Sequence, residues 1–399
     1  LRRAGLRARG LRPARHRPRR PSYRRVFQTF ARNSLIREMT FRANFLIQCV
    51  SATSWTLMNI GFYIIVFQHT DAIGKSTGWE QSEFFLFLGT TWLINSLVQT
   101  FFMPNAQDFS ELIRTGNLDF ALVKPIDTQF LISFQRMEWS SLSNFALGLV
   151  LLVVSVVQLT TRGQAIVVNG DENRFANGQT ISITDSRGQS KVLEFNDGVV
   201  TDGHHPIVIG RRGRTVEQMA DSIGEAINAV PGFGVTARAD ENRVVLDQEV
   251  EIELGSSLTA LANRRWELEP LMFVLYPFYI LCGTAILYSV MIALAATSIW
   301  LGRNQSLYNF WFYITNFSRY PMEIYQRSWG WVLWGVFTFV IPVLVVVNVP
   351  ARLLAQPLNP RHNWEWWLTG FALIATAFSL LVSRRIFQKA LLSYRSASS

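Results

Sequence analysis

The chain has 399 residues, 49% of them hydrophobic and only 17% charged; soluble domains carry roughly 25% charged residues, so this balance excludes an ordinary soluble enzyme. Its two cysteines, Cys49 and Cys282, both fall inside apolar runs, which excludes a disulfide framework and a cysteine-based metal cluster. The net charge of +10 belongs to one end of the chain, because residues 1–25 hold 11 arginines and no acid.

Residues 1–21 are rich in Arg, Pro and Gly and cannot build a core, so they are predicted to be a disordered tail. Read functionally, the tail is a basic arm for anionic lipid or nucleic acid. The plainer reading is a leader or upstream sequence, and it is preferred; no nucleic-acid partner is expected. Residues 22–40 place Phe27, Phe30 and Ala31 at helical spacing among Arg24, Arg25, Arg32 and Arg37. That pattern predicts an amphipathic helix lying on the membrane surface.

Six charge-free runs follow: Phe45–Phe67, Phe84–Met103, Trp139–Leu159, Leu271–Leu301, Ser328–Val349 and Trp366–Val382. A bilayer core about 30 Å thick needs roughly 20 apolar residues in a helix, and backbone groups in lipid must pair internally, so these runs predict six transmembrane helices. Pro277 and Gly283 are candidate break points in the fourth run, and Pro342 in the fifth. Residues Asn304–Ser318 are charge-free but short. Their aromatics suit the headgroup zone, with packing inside the bundle as the alternative.

Arginine and lysine in the connecting segments set the orientation. Segments 1–44, 104–138, 302–327 and 383–399 carry 14, 3, 3 and 4 basic residues, against one and two in 68–83 and 350–365. This predicts cytoplasmic termini in a multi-pass protein of the plasma or inner membrane. The spans hold no ionisable group apart from tyrosine and cysteine, which argues against a proton-coupled carrier or ion pump. Their polar residues, among them Gln48, Asn59, Asn95, Gln99 and Asn144, suit hydrogen bonds between helices or a weakly polar path.

Residues 160–270 read differently. They hold 11 basic and 17 acidic residues, with candidate strands at 164–168, 179–185, 191–196, 206–209, 235–239 and 243–247 separated by Asn-Gly, Arg-Gly and Asp-Gly turns. A helix is predicted over 215–230, capped by Thr215 with Gln218 as its capping-box partner, and with Met219, Ile223, Ala226 and Ile227 on its apolar face. The fold class is therefore an all-α polytopic membrane protein of about six transmembrane helices with a small α+β extracytoplasmic domain inserted between helices three and four. In domain terms, 41–159 carries helices one to three with a cytoplasmic loop at 104–138, 160–270 the insert, 271–383 helices four to six, and 384–399 a cytoplasmic tail.

Catalytic motifs are absent. Asp202, His204 and His205 invite a metal hypothesis, but neighbouring side chains on an extended segment point apart and a site needs three or four ligands; no metal is expected. Residues 69–76 (HTDAIGKS) end like a phosphate-binding loop, but His69 stands where its first glycine belongs. There is no GxSxG, HExxH or CxxC.

The stretch after the second run reads Asp108-Phe-Ser-Glu-Leu-Ile-Arg-Thr-Gly-Asn-Leu-Asp-Phe-Ala-Leu-Val-Lys-Pro125. Through Arg114, Gly116, Leu118, Asp119, Leu122 and Pro125 it resembles the R-x-G-x-L-D-x-x-L-x-x-P signature of permeases in a six-span branch of the ABC-2 (type-two exporter) family. Arg319-Tyr320-Pro321, followed by Ile341-Pro342 and Val349-Pro350-Ala351, resembles a second segment of that branch, and the approach to Phe41-Arg42-Ala43-Asn44-Phe45 is similar too. The resemblance covers about residues 22–160 and 271–395. It implies a permease subunit that is no enzyme itself and binds no cofactor. A separate ABC ATPase carrying ATP-Mg would power it, and it would pair as a homodimer or with a related permease. The resemblance also implies that the loop holding Asp108, Glu111, Arg114, Gly116, Asp119, Lys124 and Pro125 docks on the ATPase. The residues themselves agree, since Glu111 and Arg114 are spaced i,i+3 on a short helix that Gly116 can end. The alternative is a non-transporting membrane scaffold that displays the insert.

Overall fold

A computed structural model describes residues 22–70, 79–161, 164–198, 200–210, 213–240, 242–264, 270–301, 305–326, 330–355 and 363–394. The Arg-rich tail and most of the HTDAIGKS segment lie outside these residues. Five described helices are long and apolar enough to cross a membrane, and a sixth candidate is a helix pair bent by 86°.

Helix α1 (Tyr23–Thr40) turns at Phe41 into α2 (Arg42–Phe67). Its 26 residues make α2 about 39 Å long. Helix α3 (Gln81–Phe101) starts at a capping box between Glu80 and Glu83 and leads through Phe102 into α4 (Met103–Arg114), where Pro104 sits in the first turn and needs no partner for an N–H. Two short helices follow, α5 (Leu118–Leu122) and α6 (Thr128–Phe134), and then α7 (Leu142–Thr161). Helices α3 and α7 touch backbone to backbone at Gly89 and Gly148, where a Cβ on either would lie within about 3.0 Å of the other's carbonyl oxygen. Of the polar span residues, Asn144 bridges to Thr56 of α2 at 3.0 Å, while Asn59 and Asn95 turn back to carbonyls of their own helices.

Strands occupy residues 165–264 and form two four-stranded sheets. With β1 (Ala165–Val168), β2 (Gln179–Thr184), β3 (Ser190–Asn196), β4 (His205–Val208), β5 (Ala237–Asp240), β6 (Arg243–Leu246), β7 (Glu251–Leu254) and β8 (Leu261–Arg264), the orders are β5-β6-β1-β8 and β4-β3-β2-β7. All pairs are antiparallel except β3 with β4. Helix α8 (Val216–Asn228) has the predicted Thr215–Gln218 capping box and buries Met219, Ile223 and Ile227. These side chains join Ile166, Ile181, Leu193, Phe195 and Val244 in a core separate from that of the helices. Strands β7 and β8, partners of β2 and β1, were not among the six predicted strands; β8 has no run of alternating apolar residues.

The helices resume with α9 (Met272–Ala296), which passes unbroken through Pro277 and Gly283. Pro277 lies in the first two turns, where the loss of one N–H bond is tolerated. Gly283 is instead a contact point, and a Cβ there would stand 2.7 Å from the Val346 carbonyl oxygen. The run gives way only at Thr297, before α10 (Ser298–Leu301). Then come α11 (Gln305–Asn316), a 3-10 turn Phe317–Arg319, a second over Met322–Gln326, α12 (Gly330–Gly335), a π-turn Val336–Val340, α13 (Val343–Ala355) and α14 (Asn363–Ser393).

Contacts at the two ends of the bundle decide which of these cross it. At one end, the loop end, Trp300 bonds Ser393 of α14 at 2.6 Å. At the other, the sheet end, Trp79 donates to Glu323 at 3.1 Å and Tyr63 lies beside Tyr320. Helix α11 with its 3-10 turn therefore runs from the loop end to the sheet end, about 23 Å over 15 residues. Trp311 and Ile314 pack in the main core on the way, while Phe312 and Tyr313 are 49% and 64% exposed, so core packing explains part of its aromatics. The bent pair 330–355 returns to the end it left: Glu323 before it and Arg352 within its second arm form an ion pair. The predicted fifth span, Ser328–Val349, is thus a re-entrant hairpin turning at Pro342, and α11 is the fifth crossing. The expectation that 302–327 stays on one side is corrected accordingly. A hydropathy run measures length and polarity; it does not report at which end a chain emerges.

Candidate functional site

The residues singled out at 108–125 come together at the loop end. Helix α3 continues into α4, so this loop is the tip of a helical rod that begins at Glu80. Glu111 and Arg114 form a two-pronged pair, with Arg114 Nε 3.0 Å and a terminal nitrogen 2.6 Å from the two carboxylate oxygens. The hydrogen bonds to Arg114 hold the Glu111 carboxyl below its usual range. Both side chains stand in water, 57% and 74% exposed, so the pair adds little stability and remains open to exchange for another partner. Gly116 closes α4 at φ 73°, with nothing within 4 Å of where a Cβ would be; backbone conformation, not space, calls for glycine. Lys124 and Pro125 are exposed at a tight turn in which the Ile126 N–H donates to the Lys124 carbonyl at 2.8 Å.

The loop is braced internally and bonded to two other elements. Arg136 donates to Asp108 at 3.0 Å. Asn105 is buried and holds the chain beyond α6 through Ser133 and Arg136. Asp127 caps α6 by accepting from Phe130 N–H at 2.9 Å and also pairs with Arg384 of α14, whose hydrogen bonds hold its carboxyl below the usual carboxylate range. Gln129 and Ser133 bond Tyr288 of α9, and the half-buried Asp119 lies beside Tyr394. The loop is therefore continuous with α3 and bonded to α9 and α14.

Sequence reading missed the apolar part of the surface. Phe120 is 73% and Val123 85% exposed, beside the half-exposed Leu122, whereas Leu118 and Ala121 of the same short helix are buried. The signal was present in the alternation around Leu118–Val123, but only burial shows which face is spare.

Helix α1 clasps the loop's far side. Ser34 accepts from Met137 N–H at 3.0 Å, and Glu38 accepts from Trp139 and Ser140 N–H at 2.9 and 3.2 Å, capping the start of the third span from a different helix. Burial pushes the Glu38 carboxyl up from its ordinary value, against these two donors. Phe27 packs on Phe134.

Arg319, Tyr320 and Pro321 lie at the opposite end, where α11 gives way to the re-entrant hairpin. The Arg319 guanidinium sits 5.6 Å from the Phe312 ring centre, Tyr320 meets Tyr63, and Pro321 is buried. Buried Asn348 of α13 accepts from Met322 N–H at 2.9 Å and so holds this turn against the hairpin. The structure does not bring the two motifs together; the length of the bundle separates them. Near them, Arg243 of β6 pairs with Glu80 and Glu83 at the start of α3, all three largely buried. In the sheet region His204 is paired with Glu194 at 2.6 Å, and His204 holds the Glu194 carboxyl down at about 2. No group of three metal-binding side chains gathers among the described residues.

The family model described as ABC-2 family transporter protein matches residues 53–168 and 246–398. The chain belongs to the ABC-2 family. Both motifs lie within the matched segments, and the unmatched stretch, 169–245, falls within the sheet region. ABC-2 proteins of this kind are the transmembrane component of a transporter, so the exposed loop belongs to a permease and not to an enzyme. No curated protein and no solved structure matches the chain.

Proposed function

We propose that the chain is the permease subunit of an ATP-binding-cassette exporter, powered by a separate ATPase that docks on the loop 104–138. The observation that carries this reading is the tip of the α3–α4 rod. It presents the charged pair Glu111–Arg114 beside the bare apolar side chains Phe120 and Val123, at an end of the bundle where no sheet covers it. A protein surface of that kind combines an apolar anchor with a polar rim. Closure of the ATPase would move the rod and, through Asp127–Arg384 and Gln129–Tyr288, helices α14 and α9 with it.

The basic residues of α1, Lys124, Arg136 and the end of α14 gather at the loop end, which supports a cytoplasmic loop end and cytoplasmic termini. The sheet region, between the third and fourth spans, is then extracytoplasmic. ATP-Mg resides on the partner and no cofactor on this chain. Two permease chains, identical or related, assemble with two ATPase subunits.

The test is purification of the tagged chain in mild detergent from its own cells. A protein bearing Walker motifs should co-purify, and both Glu111→Lys and Phe120→Asp should release it while the permease keeps its elution volume. Purification with extracytoplasmic proteins alone, after crosslinking as well, would instead favour a scaffold displaying the sheet region.

A further inference from the structure

A cavity of about 220 Å³ opens where α1 turns into α2, next to the loop before the third span. It is smaller than the roughly 300–1,000 Å³ of pockets that enclose a drug-sized ligand, and it has room for about seven waters, the scale of a small polar group. Four of its lining side chains, Arg37, Asn44, Gln48 and Glu138, make no side-chain hydrogen bond or ion pair among the described residues. Two more are already committed, Glu38 to backbone N–H groups and Arg136 to Asp108. Phe41 and Phe45 form the apolar wall.

The lining therefore holds two arginines and two glutamates, and each sign has one uncommitted member. A net-neutral site with separate positive and negative poles suits a zwitterion better than an anion. Its position limits the source. The site lies at the foot of α2, and directly above it Leu46, Ile47 and Val50 turn outward at 59%, 63% and 63% exposed, as side chains facing acyl chains do in a membrane protein.

We infer that this cavity binds the headgroup of a zwitterionic aminophospholipid, with its phosphate on Arg37, Asn44 and Gln48 and its ammonium on Glu138. The acyl chains run up the Leu46–Val50 face of α2. The lipid bridges α1, α2 and the 135–139 loop, whose end Glu38 already ties to α1. This site is independent of ATPase docking and stands whether or not the loop's partner is found.

The full chain in detergent is titrated with phosphatidylethanolamine and, separately, phosphatidylglycerol, and bound lipid is counted by native mass spectrometry. Wild type should bind phosphatidylethanolamine about tenfold more tightly, the scale of one charge-assisted hydrogen bond. Glu138→Gln should abolish that preference and leave phosphatidylglycerol binding at least as strong. Arg37→Gln should weaken both lipids about tenfold. Neither side chain supports the fold through a hydrogen bond, and an unchanged elution volume checks that both variants stay folded. Wild-type affinities in both variants, or a wild-type preference for phosphatidylglycerol, would overturn the assignment. Soluble phosphoethanolamine is the final competitor: failure to displace the lipid at equal concentration supports a membrane source, and equal competition overturns it.

Discussion

Gly89 and Gly148 form the closest crossing of the bundle, and replacing either by alanine has a consequence that can be worked out. A Cβ at Gly89 would lie 2.9 Å from the Gly148 carbonyl oxygen and 3.2 Å from Leu152 N; one at Gly148 would lie 3.0 Å from the Gly89 oxygen and 3.1 Å from Trp92 Cβ. The nearest obstacles are mostly backbone atoms, so no side chain can swing aside and α3 and α7 must separate by about half an ångström in a densely packed contact. Overpacking of this kind costs about 1–3 kcal/mol per site. Both methyl groups use the same gap, so separation forced by one accommodates much of the other. The double variant should therefore lose less than the sum of the singles, with a coupling of about 1 kcal/mol. Reversible unfolding in mixed micelles of mild detergent and dodecyl sulfate, followed by tryptophan fluorescence, measures all three. Losses below about 0.5 kcal/mol, or strict additivity, would refute a backbone-limited crossing.

Further outcomes follow from the loop and the sheet end. Gly116→Ala should cost about 1–2 kcal/mol, because its Cβ meets nothing and only the left-handed backbone is penalised; Gly116→Asn should lose less in the same unfolding assay. Asp127 has a folded-state pKa depressed by Arg384, so its stabilising contribution is complete above the unfolded value of about 3.9 and is lost as pH falls through the lower folded value. Wild type should lose stability on acidification below about pH 4 more steeply than Asp127→Asn, as thermal unfolding between pH 6 and 3 would show. Arg243→Met removes the Arg243 cation from the buried Glu80 and Glu83, which should destabilise the junction of β6 and α3 by about 3–5 kcal/mol; limited proteolysis should then release the sheet region faster than from wild type.

What was legible in the sequence was mostly local. The α4 helix, its i,i+3 pair and the glycine that ends it depend on residues within one or two turns, and so does the Thr215–Gln218 cap of α8. Six of the sheet strands were readable for the same reason, as short apolar or alternating runs bounded by turn residues. Strands β7 and β8 were not, because their places depend on pairing with β2 and β1, about 70 and about 100 residues earlier. The fifth crossing was misread on similar grounds. Residues 328–349 are long and apolar enough to span, α11 is short, and only Glu323 meeting Arg352 and Trp79 shows that the long run doubles back. The candidate site was legible in its charged half. Its apolar half, Phe120 and Val123, needed burial to show which side of α5 the bundle leaves bare.

The most direct test of the account places a photo-crosslinking amino acid at Val123, the most exposed apolar side chain of the loop, and a control at Val208 in the sheet region. Irradiated cells should yield a covalent adduct at position 123 whose partner carries Walker motifs, and no such adduct at position 208. An adduct with the ATPase at position 208 alone, or none at position 123 while the ATPase co-purifies, would contradict docking on this loop.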